Sequence, residues 1–266
     1  MPDKLNCGKC FGCRMEHARQ WTVRLTHEHS LHRHSTAVHL TYNDEHLPDR
    51  QSLDKTHIPL FMKRLRNQGF KFRYFQCGEY GEKKHRPHHH AILLGVEFPD
   101  AYHWMRSDRG TDLYRSRLLE NAWPFGFSTL GSVDDYAIKY VCGYLQKKQK
   151  QADYWEQVVP ATGEITSEER IPPYATMSRR PAIGRRWIER YWREVYPSDT
   201  VVYNGRAMRP PRYYDRWLET EHPDLHAEVM AQRAEIPHND DSPARLRCRE
   251  TVAELNANRF SPRELE

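Results

Sequence analysis

The order of apolar periodicities along this chain predicts an α+β fold, an antiparallel sheet with helices on its faces and a helical or irregular C-terminal extension. Three observations predict it. Short runs of period two, the mark of strands, alternate with longer runs whose apolar residues recur at three and four, the mark of amphipathic helices. Two strand-like runs, Lys71 to Glu79 and His88 to Val96, are separated only by a polar loop, as in an antiparallel hairpin. A further helical pattern begins at about Asp135, after the last of the strands.

Taken in order, residues 14–26 read as a helix with Trp21 and Leu25 among polar side chains, followed by a loop carrying His27, His29, His32 and His34. Thr36 to Tyr42 reads as a strand ended by Asn43 and Asp44. Residues 55–68 place Ile58, Phe61, Met62 and Leu65 on one helical side, with Gly69 as the stop. The hairpin comes next, then a helix over 111–121. Pro124 and Gly126 open a strand through Leu130, and Asp134 or Asp135 caps a helix running to about Lys148. From the first strand to the last this is β-α-β-β-α-β, the split, ferredoxin-like arrangement, with the final helix across one face.

After residue 150 the character changes. Residues 150–178 are polar, with Pro160, Gly163, Pro172 and Pro173, and read as a long loop. A basic turn, Arg179 to Arg186, leads into an aromatic helix with Trp187, Tyr191 and Trp192. Helices are expected near 224–234 and 243–257, the latter started by Ser242 and Pro243. The expected organisation is a domain of residues 1–150, a basic and aromatic extension of 151–200 packed on it, and a polar, helical or partly disordered tail of 201–266.

Composition narrows the class. The chain has 266 residues, 38% hydrophobic and 29% charged, with a formal net charge of +5. That mild basic excess fits a nucleic-acid partner without demonstrating one. No apolar run is long enough to span a membrane, and the first residues lack the apolar core of a signal peptide, so a cytoplasmic protein is expected. The six cysteines are then reduced thiols or metal ligands. No G-x-x-x-x-G-K-[ST] phosphate loop occurs, so no nucleotide cofactor or motor is expected.

The chemistry is concentrated in two stretches. In the strand beginning Pro87-His88-His89-His90, positions i and i+2 share a face, so His88 and His90 can grip one ion. Glu79, ending the preceding strand, is the third ligand of choice, with Glu82 and His85 as rivals. Imidazole and carboxylate together suit Mn²⁺ or Mg²⁺, and would also take Zn²⁺. In the helix, Tyr136 and Tyr140 lie four apart on one side, and Tyr144 extends the row. A metal beside paired tyrosines points to DNA strand cleavage through a 5′-phosphotyrosine that frees a 3′-hydroxyl, with Lys139 supplying positive charge to the attacking oxygen or the phosphate. Two tyrosines allow two successive strand transfers.

Elsewhere, Cys7, Cys10 and Cys13 have the spacing C-x-x-C-x-x-C and suggest a structural Zn²⁺ completed by a distant fourth ligand, Cys77 or a histidine. Basic residues Lys63, Arg64, Arg66, Lys147, Lys148, Lys150, Arg179, Arg180, Arg185 and Arg186 could track phosphate, with Trp187 and Tyr191 stacking on unpaired bases.

Four stretches carry a resemblance over about residues 5–195: Cys7 to Arg14 with Arg19-Gln20-Trp21; Leu40 to Pro48; Cys77 to Glu82 running on through Arg86 to His90; and Tyr136 to Tyr140 with Lys147-Lys148. Met177 to Pro181 is a weaker fifth. In these the chain resembles the HUH-type (histidine, hydrophobic, histidine) rolling-circle replication initiators, and more narrowly those of the gokushoviruses among the Microviridae. The resemblance implies an HUH endonuclease fold with a catalytic helix on one face of the sheet. It implies His88 and His90 as metal ligands, Tyr136 and Tyr140 as nucleophiles and Lys139 as the motif lysine, with Thr41 and Tyr42 in the strand motif beside the active site. The partners it implies are single-stranded and supercoiled phage origin DNA and the host helicase and polymerase, in the bacterial cytoplasm. Two departures stand out: His89 occupies the position that is normally bulky and apolar, and Ala182 stands where glycine is expected. The alternatives are a transposase or relaxase using the same chemistry, a non-catalytic zinc-stabilised DNA-binding protein, and a metallohydrolase acting through bound water.

Overall fold

The computed structural model describes residues 7–8, 10–81, 84–107, 110–147, 153–158, 165–236 and 242–259. In chain order the elements are α1 (Phe11–His29), β1 (Ser35–Thr41), α2 (His57–Asn67), β2 (Arg73–Tyr80), β3 (Pro87–Leu94), β4 (Tyr102–Arg106), β5 (Asp112–Arg115), α3 (Arg117–Ala122), β6 (Ser128–Ser132) and α4 (Asp135–Lys147). There follow β7 (Asp153–Val158), β8 (Ile165–Arg170), β9 (Tyr174–Met177), α5 (Arg185–Val195), β10 (Val201–Tyr203), β11 (Arg206–Met208), α6 (Arg212–Glu221), α7 (Pro223–Glu235) and α8 (Pro243–Arg259).

The chain forms two compact units. One is residues 32–178, built on a seven-stranded antiparallel sheet of order β4-β5-β6-β1-β3-β2-β9. Its centre, β6-β1-β3-β2, is the strand order of the split βαβ arrangement, so the expected α+β, ferredoxin-like sheet is present. Alternation sorts side chains to its two faces. Val38 and Leu40 of β1 and Tyr42 just after it, with Ala91 and Leu93 of β3, enter a core with Ile58, Phe61, Met62 and Leu65 of α2 and Leu119 and Trp123 at α3. The opposite face of β2 and β3 is covered by α4, whose Ile138, Val141, Cys142 and Leu145 are buried. Apolar burial on both faces fixes the register, because a slip of one residue would turn the histidines into the α2 core.

The other unit joins the chain ends, residues 1–31 and 179–262. Val23 of α1 packs in one core with Ile188, Val195, Tyr214, Trp217, Leu218 and Val229. Buried Glu28 accepts a hydrogen bond from Gly184 N at 2.7 Å, and Arg24 donates to Ile183 O while lying between the rings of Trp21 and Tyr213. Gly184 has φ +81°, and a Cβ there would meet the Tyr214 hydroxyl at 2.9 Å, so this turn needs glycine. The compact units therefore cut the chain near 31 and 178, not at 150 and 200, because α1 buries its apolar side against the C-terminal helices.

Several local expectations are corrected. Residues 111–121 are not one helix but strand β5 followed by the short α3, and β4 pairs with β5 in a hairpin. The supposed loop over 150–178 contains the β7–β8 hairpin and β9, which adds to the sheet edge beside β2. The C-terminal region holds α6 and the β10–β11 hairpin as well as the two expected helices.

Candidate metal and tyrosine site

The register of the sheet assembles the site. β3 sits between β1 and β2, so His90 pairs with both His39 and Cys77, and His88 with Thr41 and Glu79. Cross-strand partners share a face, and His39, His88 and His90 therefore meet on the side of the sheet that α4 covers. One nitrogen from each lies within 4.8 Å of the others. Glu79, only 2% exposed, places Oε1 3.0 Å from His88 Nε2 and 3.2 Å from His90 Nε2. Burial holds His39 well below the usual imidazole range; nearby His90 and His88 add to this and Glu79 opposes it. A neutral imidazole is the form that binds metal.

This donor set fits a divalent cation. Three imidazoles converge from β1 and β3; the Glu79 carboxylate, from β2, stands against two of them, His88 and His90, and is not part of the mutual group with His39. His39 joins the group although the histidine pair alone does not point to it. The signal was its alternation with Val38 and Leu40: if those enter the core, His39 must face the other way. His85 is outside this group, and Glu82 lies outside the described residues.

The helix supplies the phenols. Asp134 caps α4, with Oδ1 accepting from Ala137 N at 2.7 Å. Tyr140 and Tyr144 both face His90: the Tyr140 ring stands edge-on with centroids 5.0 Å apart, and Tyr144 is stacked at 5.3 Å. Tyr136 stacks on Tyr140 at 6.1 Å and is 41% exposed. Tyr144 is buried and bonded to Glu79 and Tyr140; burial foremost, then Glu79, raises its pKa far above that of a free phenol. It stands as a hydrogen-bond partner of Glu79. Lys139 is half exposed and pairs with Asp135 at 2.7 Å, so its ammonium lies beside the tyrosine row and not among the histidines.

His89 points the other way, into the α2 core. Its Nε2 is 3.2 Å from the Tyr42 hydroxyl, which also bonds His57 Nδ1 at 2.9 Å. Thus the unusual middle residue of the motif is a buried core histidine, held neutral chiefly by burial, and Tyr42 belongs to that core and not to the metal side.

Of the residues expected on DNA, Arg179, Arg180 and Arg186 are exposed, whereas Arg185 is held by Glu189 and Glu221. Lys63, Arg64 and Arg66 are on α2, across the sheet from the histidines. Trp187 is stacked on His27 at 3.6 Å, with Tyr191 against it. Lys148 and Lys150, and the side chain of Lys147, lie outside the described residues. Cys7, Cys10 and Cys13 form a second group, their sulfurs within 4.8 Å of one another; Cys77 is buried in β2 and is not part of it.

Sheet order, histidine-bearing central strands and a tyrosine-bearing helix on their face give an α+β fold consistent with that of the HUH endonucleases. Residues 35–149 match the family of the replication-associated protein ORF2/G2P. The chain is 31% identical to the replication-associated protein VP4 of Bdellovibrio phage phiMH2K over 236 residues, which is 85% of this chain and 71% of that protein. It is 28% identical to the replication-associated protein ORF2 of Spiroplasma virus 4 over 236 residues (84% and 70%). It is 32% identical to ORF4, a replication-associated protein of Chlamydia phage 1, over 220 residues (79% and 52%). No solved structure matches. The chain belongs to the gokushovirus-like family of phage replication-associated proteins.

Proposed function

We propose that this protein initiates rolling-circle replication by cutting one strand at a phage origin and later rejoining it, through a tyrosine-linked 5′-phosphate. The observation that carries this reading is the Tyr140 ring 5.0 Å from His90, one of three converging histidines (His39, His88 and His90), with Glu79 against two of them. Those four residues would hold a divalent ion, Mn²⁺ or Mg²⁺, which when bound would polarise the scissile phosphate and hold it in line.

The chain's own part is positioning and nucleophilic attack. The Tyr140 oxygen gives up its proton and attacks phosphorus; the bond from phosphorus to the 3′ oxygen breaks, and that oxygen leaves with a proton as the 3′-hydroxyl. The phosphodiester energy is kept in the phosphotyrosine, so attack by a 3′-hydroxyl restores the strand without a nucleotide cofactor. Tyr140 cuts first because it faces His90 and, unlike Tyr144, is only partly buried; Tyr136, stacked on it and open to solvent, takes the second transfer. Lys139 offers its charge to the phosphate from the same helix. Exposed Arg179, Arg180 and Arg186 would contact the backbone of the DNA. The extended 3′ end and the unwinding of supercoiled origin DNA would fall to the host polymerase and helicase, in the bacterial cytoplasm.

Covalent capture tests this. Labelled single-stranded oligonucleotides tiling the phage genome are incubated with protein and Mn²⁺ and run on a denaturing gel. A metal-dependent adduct is expected on one sequence, lost in Tyr136→Phe/Tyr140→Phe and in His88→Ala/His90→Ala. Tyr140→Phe alone should remove most first-strand adduct, and Tyr136→Phe little. Cleavage without adduct would mean hydrolysis by water, and binding alone would mean a non-catalytic DNA-binding protein.

A further inference from the structure

The three N-terminal cysteines take no part in that chemistry, and their geometry is specific. The Cys7 and Cys13 sulfurs are 3.8 Å apart, far too long for a disulfide. That distance is about the edge of a tetrahedron with metal–sulfur bonds of about 2.3 Å, the zinc–thiolate length. Cys10 N donates to Cys7 Sγ at 3.2 Å, so the chain curls round the sulfur before α1 begins. None of the three is in a disulfide. Cys10 is the N-cap of α1 without a side-chain cap of its own, and no acid of α1 lies in its first turn. Instead the helix end is met from the far end of the chain: Glu250 of α8 accepts from Phe11 N at 3.2 Å.

We propose that Cys7, Cys10 and Cys13 bind one Zn²⁺ and that Glu250 completes its coordination, so that the metal staples the first helix of the chain to the last. Structural zinc is four-coordinate; Glu250 lies outside the sulfur group itself and accepts from the residue next to Cys10, so it would turn from Phe11 N to the ion when zinc binds. Three thiolates and a carboxylate place negative charge at a helix N-terminus, where the helix dipole favours it. Cys248, two residues before Glu250, falls on the other side of α8 and is exposed; it is the control. The site is independent of strand cleavage, and its loss would leave the histidine set in place.

The test uses the full chain in a His39→Ala/His88→Ala/His90→Ala background, so that bound metal reports the cysteines alone. Zinc should be present at one ion per chain, near zero in Cys10→Ser and unchanged in Cys248→Ser. Glu250→Gln should keep the ion but lose it to a competing chelator at least 10-fold more readily. In otherwise unaltered protein, Co²⁺ loaded in place of zinc should give thiolate charge-transfer bands of an intensity for three sulfurs, a readout that survives even where Cys10→Ser does not fold. Chelation should speed amide exchange in the first turn of α1 and in α8 together. Native protein lacking zinc, with three cluster thiols reacting at once with a thiol reagent, would overturn the site. So would iron and sulfide absorbance after anaerobic purification. Chelator competition unchanged by Glu250→Gln would overturn the assignment of the fourth ligand.

Discussion

At the scale of single residues, the proposed metal site turns on how Glu79 is held. A carboxylate 2% exposed would be expelled from a sheet unless its charge were answered. It stands against His88 and His90 on one side, and Tyr144 hydrogen-bonds to it. Tyr144→Phe should therefore leave the fold intact and weaken Mn²⁺ binding about 10-fold or more, as losing a group that orients a ligand does; calorimetric titration with Mn²⁺ measures it. His39→Ala should cost at least about 100-fold in the same titration, since it removes a donor outright. Equal affinity in His39→Ala would mean that His88, His90 and Glu79 suffice. The closeness of the histidine pair to Glu79 was legible because their relation is local: two residues apart on one strand, and opposite each other across one hairpin. His39 was not, because its pairing with His90 depends on which strand lies beside β3, a matter of sheet order. His89 shows the converse. Its side of the strand was legible from alternation, but its bond to Tyr42 needed the packing of β1 against β3.

At the scale of elements, two short segments fix where the tyrosines and histidines stand. Asp134 caps α4, and Asp134→Ala should cost about 1 kcal/mol in urea unfolding. It frays the turn that carries Tyr136, so the second strand transfer should suffer more than the first. Gly126 leads into β6, and a Cβ there would lie 2.4 Å from Asn43 N and Thr41 O. Gly126→Ala must push β6 away from the end of β1, and a loss of about 1–3 kcal/mol is expected in the same measurement. The capping aspartate and the glycine entry were both readable from the sequence. The β4–β5 and β7–β8 hairpins were not. All five residues of β4 are exposed, so no alternation of apolar and polar marks it. A register shift between His103 and Met105 breaks the period further. Strand β9 is four half-buried residues, and it exists because the edge of β2 offers it a partner.

At the scale of the molecule, the family match of residues 35–149 falls within the sheet unit, while the chain ends build a second unit with its own core. Hydrophobic periodicity could not join residues 11–29 to residues 185–235, because each helix alone fits any apolar partner. The clearest consequence of that joining is the burial of His27. Its ring stacks on Trp187 at 3.6 Å, and its Nδ1 is 2.9 Å from the Tyr214 hydroxyl. Burial pushes its pKa from 6.5 down to about 4. The folded unit therefore holds His27 neutral across a range in which the unfolded chain would protonate it. Its contribution to stability is complete above about pH 6.5, declines as pH falls towards 4, and is fully lost below that. The shift amounts to about 3 kcal/mol over the window. Amide hydrogen exchange at pH 7 and pH 5 should thus show faster opening of α1, α5 and α6 at the lower pH. In His27→Phe the stack remains while the titration is gone. The Tyr214 hydroxyl then loses its partner, at a cost of about 1–3 kcal/mol at every pH. The variant should be less stable at pH 7 but lose less between pH 7 and pH 5. Parallel loss in both proteins would assign the acid sensitivity of these helices to other groups.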